Sequence, residues 1–172
     1  MALFAVAFRA GSRGSDLAKL LAAQVLHLPS SQGLILNSHF TKTLRDGAAH
    51  ASLLALDIVM PETCAVAAML RYAQAAESCG WDISKGYLFP KMLASGKRTP
   101  KRLARPLSVK SMAARFKEHL GRAGLGARQF TFHSLRVGCA VAQTIAGKDI
   151  AEIMAEVNWK SEKTARRYVG GA

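Results

Sequence analysis

The order of apolar and polar positions along the chain predicts a mostly helical protein. Apolar residues recur at three- and four-residue spacing in several stretches, and Gly, Pro, Ser or Asp bounds most of these stretches, as is usual at helix ends. Helices are predicted over residues 2–9, from Ser15 through Leu21, from Pro61 to Gly80, from Ser108 to about Gly121, over residues 134–145, after Asp149, and after Ser161.

Two further apolar runs have the character of strands. Residues 33–40 and 50–59 are separated by a polar segment that contains Asp46-Gly47. Asp-Gly favours the tight turns that join antiparallel strands, so we expect a β-hairpin with this dipeptide at or near its turn. The fold class expected is α+β, predominantly helical, with a small antiparallel sheet or hairpin.

Composition indicates a folded domain with an anionic partner. The chain has 172 residues, half of them hydrophobic, which is enough for one domain with a sizeable core. Its net charge of +13 favours nucleic acid over an acidic membrane, although charge does not distinguish DNA from RNA. The apolar run at residues 2–8 is too short to span a membrane. Three cysteines without metal-ligand or disulfide-framework spacing indicate a reducing compartment.

The middle of the chain carries a basic stretch. No acidic residue occurs between Asp82 and Glu118. Around Ser95–Arg102 we expect a mobile loop that orders against a DNA backbone. A nuclear-localisation signal and a merely solvated loop are the other interpretations. The candidate DNA contacts are Lys97, Arg98, Lys101, Arg102, Arg105 and Lys110.

Candidate chemistry lies near the C-terminus. His133 and Arg136 are three residues apart, so on a helix both side chains can reach one phosphate-sized target. Tyr168 follows Trp159 by nine residues and is a candidate nucleophile. Taken singly, each of these residues could instead be a packing residue: a core histidine, a buried indole, or a tyrosine anchored with its hydroxyl in water.

Two more basic residues complete the set. Arg13 precedes Asp16 by three residues and can present a planar fork to a phosphate, although a simple surface ion pair is the alternative. Lys42 is placed near the tip of the predicted hairpin, where its ammonium could reach a DNA groove. Lysine suits a general acid because its pKa falls readily near other cations. Arg45 is the nearest rival for this role.

Together these residues resemble the catalytic signature of the tyrosine recombinases, the phage-integrase family. The signature consists of an Arg, a Lys, a His-x-x-Arg pair, a His or Trp, and a Tyr, and here it keeps its order over nearly the whole chain. The resemblance implies the tyrosine-recombinase catalytic fold. It also implies metal-free and cofactor-free cleavage of DNA through a 3′-phosphotyrosyl intermediate.

The resemblance assigns each residue a role. Tyr168 attacks the scissile phosphate and His133 acts as the acid-base group. Arg13 and Arg136 clamp the non-bridging oxygens, and Lys42 protonates the leaving 5′-oxygen. Asp16 stands where the family carries an acidic residue. Trp159 provides steric support and an indole N–H hydrogen bond to the phosphate.

The resemblance also predicts partners and organisation. The expected partner is double-stranded DNA, bound by a homo-oligomer, with no membrane and no small-molecule substrate. The expected location is intracellular and DNA-associated, in a nucleoid or a nucleus. Residues 1–172 are expected to form a single catalytic domain, without the family's N-terminal core-binding domain and without a C-terminal segment for exchange between subunits.

Three alternatives remain open at this stage. A DNA-binding remnant of a mobile-element recombinase would keep the fold without turnover. A type IB topoisomerase would share the chemistry and work as a monomer. A helix-turn-helix DNA reader would explain the charge and the helical C-terminal part, but it gives no reason for Arg13, Lys42 or the spacing from Trp159 to Tyr168.

Overall fold

The computed structural model describes residues 1–38, 50–95, 98–126 and 128–170. Within these ranges helices predominate and the sheets are small and antiparallel, as the sequence predicts, although there are two sheets where the sequence indicated one. The helices are α1 (Ala2–Arg9), α2 (Gly14–Lys19), α3 (Ala65–Ser78), α4 (Val109–Arg122), α5 (Phe132–Ile145), α6 (Ile150–Val157) and α7 (Glu162–Val169). The strands are β1 (Val25–His27), β2 (Gly33–Ser38), β3 (His50–Ala55), β4 (Pro90–Ser95) and β5 (Arg98–Pro106). None of the described helices is long and apolar enough to cross a membrane.

Helix α5 joins two apolar clusters. Its first residue, Phe132, packs in the main cluster, where the Phe4 ring of α1 meets the Phe116 and Phe132 rings edge to face at 5.5 and 6.2 Å. Further along α5, Cys139 and Ala140 belong to a smaller cluster with residues of α6 and α7. Side chains in the first turns of α5 are therefore held between the main core and the C-terminal helices.

The predicted hairpin is confirmed, but its second strand ends at Ala55 and residues 56–59 are not strand, because the Asp57 carboxylate accepts hydrogen bonds from the Val59 and Met60 amides. Strand β2 pairs antiparallel with β3, with Ile35 opposite Leu53, and β1, which the sequence pattern did not predict, covers the other edge of β2. The segment between β2 and β3, with Lys42, Arg45 and Asp46-Gly47, lies outside the described residues. The roles of Lys42 and Arg45 stay predictions.

The second helix is shorter than predicted. It ends at Lys19, and Leu20 is already extended at φ −64° and ψ 123°. The Leu20 carbonyl accepts a hydrogen bond from the Leu88 amide, and Leu21 forms a bridge with Tyr87. Pairing with this distant segment therefore replaces the last helical turn, and the apolar spacing alone gave no sign of it.

The third helix begins later than predicted. Residues 61–63 form a turn, and α3 starts at Ala65 with Cys64 as its N-cap. The Cys64 sulfur accepts a hydrogen bond from the Ala67 amide at 3.4 Å, which occupies one of the free N–H groups of the first turn. Pro61 therefore precedes the helix instead of opening it.

The predicted mobile loop around Ser95–Arg102 is wrong for most of its length. Strands β4 and β5 form an antiparallel ribbon, with Leu93 opposite Lys101, while Lys97 lies outside the described residues. Pro100 within the segment favoured a loop. In a two-stranded ribbon each strand has an unpaired edge, and proline without its N–H group is tolerated there.

The C-terminal helices match the prediction closely. The capping box predicted for Asp149 and Glu152 is present: the Glu152 amide donates to the Asp149 carboxylate at 2.8 Å, and the Asp149 amide donates to the Glu152 carboxylate at 3.0 Å. Ser161 caps α7 in the predicted place. Local capping signals therefore set the bounds of the segment that carries Tyr168.

Candidate active site

The His-x-x-Arg pair lies in the first turns of α5. The Thr131 amide donates to the Ser134 hydroxyl at 3.0 Å, which fixes the start of this helix. His133 is exposed on the surface, whereas Arg136, one turn further, is only 3% exposed. A buried guanidinium needs acceptors on every side that faces the protein.

Two backbone carbonyls accept hydrogen bonds from Arg136. Its Nη1 donates to the Gly11 carbonyl, and its Nη2 donates to the Asn158 carbonyl at 3.3 Å. Gly11 follows the end of α1 and Asn158 follows the end of α6. The C-terminal end of a helix carries partial negative charge, so both carbonyls favour a cation.

Aromatic rings layer over this arginine. The Arg136 guanidinium carbon lies 5.5 Å from the Trp159 ring centroid. Tyr168 stacks on Trp159 with centroids 5.5 Å apart and an interplanar angle of 23°. The His133 ring meets the Tyr168 ring edge to face at 5.8 Å. The structure thus brings together four of the residues that the sequence selected.

Arg13 approaches the same place from α2. It is the N-cap of that helix, and together with Asp16, Arg136 and Asn158 it lines a small cavity. Arg13 Nη1 lies 3.9 Å from the Asp16 carboxylate, which is too long for a hydrogen bond. No acceptor for this buried nitrogen occurs within residues 1–38, 50–95, 98–126 and 128–170. Arg13 therefore keeps donor capacity that a phosphate oxygen could use.

The two arginines change the titration of their neighbours. Partial desolvation of the largely exposed imidazole, followed by the charges of Arg136 and Arg13, lowers the pKa of His133 from its usual 6.5. His133 is therefore neutral at neutral pH and can accept a proton. Burial, followed by the charge of Arg13, lowers the pKa of Arg136 to about 10, which leaves it cationic at neutral pH. Burial raises the pKa of Asp16 against the lowering effects of the Ser15 hydrogen bond and of Arg13.

Sequence reasoning missed three groups at this site. The backbone carbonyls of Gly11 and Asn158 hold Arg136, and the only signal was the common use of Gly and Asn just after a helix. His50, the first residue of β3, lines the same cavity, and its Nε2 lies 3.2 Å from the Glu156 carbonyl oxygen. Nothing in the local sequence distinguished His50 from an ordinary strand residue.

The predicted DNA contacts differ in how they are held. Lys101, Arg105 and Lys110 are exposed. Arg102 is half-buried, and its Nη2 donates to the backbone carbonyls of Lys85 at 2.7 Å and Tyr87 at 3.4 Å. Arg98 lies in β5 and only its backbone is described, while Lys97 lies outside the described residues. A role of all six in DNA binding stays a prediction.

Comparison with known proteins identifies the family of the chain. The model of the phage integrase family matches residues 1–171, nearly the whole chain. The chain belongs to the phage integrase family. An integrase/recombinase XerD homolog from Selenomonas ruminantium is 30% identical over 169 residues, which cover 98% of this chain and 46% of that relative. This phage-integrase chain thus spans less than half the length of the XerD homolog.

Solved structures show the same fold at low sequence identity. XerH site-specific recombinase, in a post-cleavage complex with palindromic difH substrate, aligns with a TM-score of 0.69 and 13% identity over 99% of this chain and 41% of its own. XerA recombinase also gives 0.69, with 20% identity over 98% and 50% of the two chains. The Tn1549 transposon integrase in complex with transposon right end DNA gives 0.61, with 11% identity over 97% and 53%. The fold is that of tyrosine-recombinase catalytic domains.

Proposed function

We propose that this chain is the catalytic domain of a tyrosine recombinase that breaks and rejoins double-stranded DNA through a covalent bond between Tyr168 and a 3′-phosphate. The observation that carries the proposal is the packed cluster of His133, Arg136, Trp159 and Tyr168, with Arg13 lining the cavity beside Arg136. The Tn1549 integrase in complex with transposon right end DNA supports DNA as the substrate class, and XerH in a post-cleavage complex with its difH substrate supports cleavage.

In the first step the Tyr168 oxygen attacks the scissile phosphorus. A phosphorus–oxygen bond to tyrosine forms, the bond to the 5′-oxygen breaks, and the strand end leaves as a 5′-hydroxyl. Because a free phenol has a pKa of about 10, a base has to take its proton at neutral pH. His133 suits this role because it is neutral at neutral pH and its ring contacts the Tyr168 ring. The proton for the leaving oxygen comes from a general acid, for which Lys42 is the candidate.

The two arginines stabilise the charge that develops on the phosphate. Arg136 is already oriented by two carbonyls and the Trp159 ring, and Arg13 retains a donor nitrogen without an acceptor in the described part of the chain. Preorganised cations of this kind commonly supply the largest share of catalysis. The Trp159 indole N–H is the candidate for a further hydrogen bond to a non-bridging oxygen.

The second step reverses the first with a different strand. A 5′-hydroxyl from a partner duplex attacks the phosphotyrosine, the new phosphodiester forms, and Tyr168 regains its proton. The number and type of phosphate ester bonds are unchanged over the two steps, so the exchange needs no external energy source. The biological reaction that fits is site-specific recombination or integration by a homo-oligomer assembled on DNA.

Exposed cations would hold the duplex against this cluster. Lys101 and Arg105 on β5 and Lys110 at the start of α4 are exposed, and the whole chain carries a net charge of +13. Contacts from such side chains to phosphates position a protein on DNA without reading the base sequence. The binding is expected to weaken steeply with salt because each neutralised phosphate releases condensed counterions.

A suicide-substrate assay tests the proposal. A duplex nicked close to the scissile phosphate loses a short strand fragment on cleavage, which traps the covalent adduct for denaturing electrophoresis. We expect an adduct with the unaltered chain and none with Tyr168→Phe. Tyr87→Phe, a change at a tyrosine away from the cluster, is the matched control and should leave adduct formation unchanged.

The position of the label decides the polarity of cleavage. A 3′-phosphotyrosyl bond keeps the 5′-end-labelled fragment on the protein and releases a 3′-end-labelled fragment with a free 5′-hydroxyl. An adduct that persists in Tyr168→Phe would contradict the assignment of the nucleophile. Tight DNA binding without an adduct on any substrate would favour the DNA-binding remnant, and efficient relaxation of supercoiled DNA by a monomer would favour a type IB topoisomerase.

A further inference from the structure

The ends of α1 and α6 are built in the same way, and both face Arg136. At the end of α1 the Ser12 amide donates to the Ala7 carbonyl, and Gly11 has a φ of +53°. At the end of α6 the Trp159 amide donates to the Met154 carbonyl, and Asn158 has a φ of +54°. This pattern of a left-handed residue with a bond back across the last turn is the Schellman motif.

The left-handed residue in each motif turns its carbonyl out of the helix. Those two carbonyls, of Gly11 and Asn158, are the acceptors of the Arg136 guanidinium. The two helix ends are also in contact, because a Cβ added at Gly11 would lie only 3.1 Å from a methyl carbon of Val157, the last residue of α6. The two helix ends are thus packed together, and their two carbonyls, called here the Gly11–Asn158 carbonyl pair, both accept hydrogen bonds from Arg136.

Within the carbonyl pair, Asn158 is the more informative residue. Asparagine is one of the few residues other than glycine that adopts left-handed backbone angles readily. It also joins two functional residues along the chain, since its carbonyl holds Arg136 and its successor is Trp159, whose ring lies over the same guanidinium. A change of backbone angle at Asn158 would move both supports of Arg136 together.

We propose that Asn158 is a positioning residue for DNA cleavage, which acts by presenting its left-handed carbonyl to Arg136 and by setting Trp159 over the guanidinium. The expected effect on cleavage rests on the function proposed above. The hydrogen bonds from Arg136 to the carbonyl pair do not, because they are present in the protein without DNA. Displacements of about 1 Å in a catalytic group can lower a rate by about a hundredfold, so a backbone change at this residue should be felt in the chemical step.

Two substitutions separate backbone from side chain. Asn158→Gly removes the amide but keeps left-handed angles accessible, whereas Asn158→Val makes these angles costly because valine is branched at Cβ. Gly147 provides the matched control: it has a φ of +83° after α5 and sits in the same motif, with no atom within 4 Å of an added Cβ. Gly147→Val imposes the same kind of backbone penalty away from Arg136.

The first measurement is single-turnover cleavage of the suicide substrate at saturating protein. We expect Asn158→Val to lower the cleavage rate at least about tenfold with unchanged DNA affinity. Asn158→Gly should retain most of the rate of the unaltered chain. Gly147→Val should lower Tm without slowing cleavage. In an Arg136→Ala background, Asn158→Val should add less than about a twofold effect, since both changes act through one group. A rate as low in Asn158→Gly as in Asn158→Val, or full additivity with Arg136→Ala, would overturn the proposal.

The second measurement needs no catalytic activity. In a proton–nitrogen NMR spectrum of the free protein, the Arg136 guanidinium signals are identified by their loss in Arg136→Lys. Slowly exchanging Nη signals should be present in the unaltered chain and in Asn158→Gly and absent in Asn158→Val. Signals that persist in Asn158→Val would contradict the positioning of Arg136 by the Asn158 carbonyl. A failure of cleavage in the unaltered chain would contradict only the proposed function.

Discussion

The two arginines of the site are held in opposite ways. Arg136 is 3% exposed, its two terminal nitrogens donate to backbone carbonyls, and an indole covers its face. The Arg13 side chain is 28% exposed, and its nearest carboxylate, Asp16, is 3.9 Å away. One guanidinium is fixed by the fold and the other is only placed nearby.

The contrast shows that two arginines with the same proposed role, binding the phosphate, can contribute differently to the stability of the protein without DNA. Arg136 serves as a part of the core that joins α1, α5 and α6, and its position is set before any DNA arrives. Arg13 has an unpaired buried nitrogen in the described part of the chain, and a buried donor without an acceptor is unfavourable. A phosphate oxygen would remove that penalty, so Arg13 is the arginine whose environment should change most on DNA binding.

The largest expected effect separates the two arginines by stability. Arg136→Ala leaves two carbonyls without a donor and opens space beneath Trp159, so we expect the free energy of unfolding to fall by about 2–4 kcal/mol. Arg13→Ala loses one long, partly exposed ion pair and should cost no more than about 1 kcal/mol. Denaturant unfolding of the two variants measures the difference.

Cleavage should not show the same contrast. Both variants lose a cation that stabilises the phosphate charge, so each should lower adduct formation by at least about a hundredfold. Ser15→Ala, next to the same helix start but outside the proposed catalytic set, serves as the control for handling and DNA binding. Equal losses of stability in Arg136→Ala and Arg13→Ala would refute the view that only Arg136 is part of the core.

The sequence was enough to select five side chains that the structure brings together, those of Arg13, His133, Arg136, Trp159 and Tyr168, and to predict most of the helices. The His133–Arg136 spacing, the distance from Trp159 to Tyr168 and the capping box at Asp149 are local patterns, and local patterns report local geometry. The same reasoning located the two strands on either side of the residues around Lys42. What these patterns share is that the interacting residues are close in sequence.

The features that could not be predicted depend on contacts between distant segments. The early end of α2 follows from pairing of Leu20 with Leu88, and the β4–β5 ribbon overrides the loop tendency of Pro100. The acceptors of Arg136 are backbone carbonyls, which every residue carries, so composition gives no signal for these hydrogen bonds. Gly11, which provides one of the two carbonyls, lies 125 residues from Arg136 in the sequence.

A smaller effect is expected in the titration of His133. Partial desolvation is the main cause of its lowered pKa and the two arginines add to it, so Arg13→Gln should raise the pKa while leaving it below 6.5. Because the folded state disfavours the protonated ring, His133 contributes stability above about pH 6.5 that is lost as the pH falls through its folded pKa. NMR titration of the imidazole protons, assigned with His133→Gln, measures the shift.

The stability consequence provides an independent check on the sign. Between pH 7 and 5 the Tm of the unaltered chain should fall more than that of His133→Gln, which lacks the titrating ring. A pKa above 6.5 in the unaltered chain, or a fall on replacing Arg13, would show that the cations do not face His133 as the structure has them.

The smallest effect concerns two arginines of the β4–β5 ribbon, one whose guanidinium is hydrogen-bonded to backbone carbonyls and one that is exposed. Arg102 donates to the carbonyls of Lys85 and Tyr87, whereas Arg105 is exposed. We expect Arg102→Gln to lower the free energy of unfolding by about 1 kcal/mol and to leave the salt dependence of DNA binding unchanged. Arg105→Gln should change stability by less than about 0.5 kcal/mol and reduce the slope of log affinity against log salt by about 0.9. Affinity measured at four or more salt concentrations distinguishes the two, and a reduced slope in Arg102→Gln would mean that this side chain leaves its carbonyls to bind a phosphate.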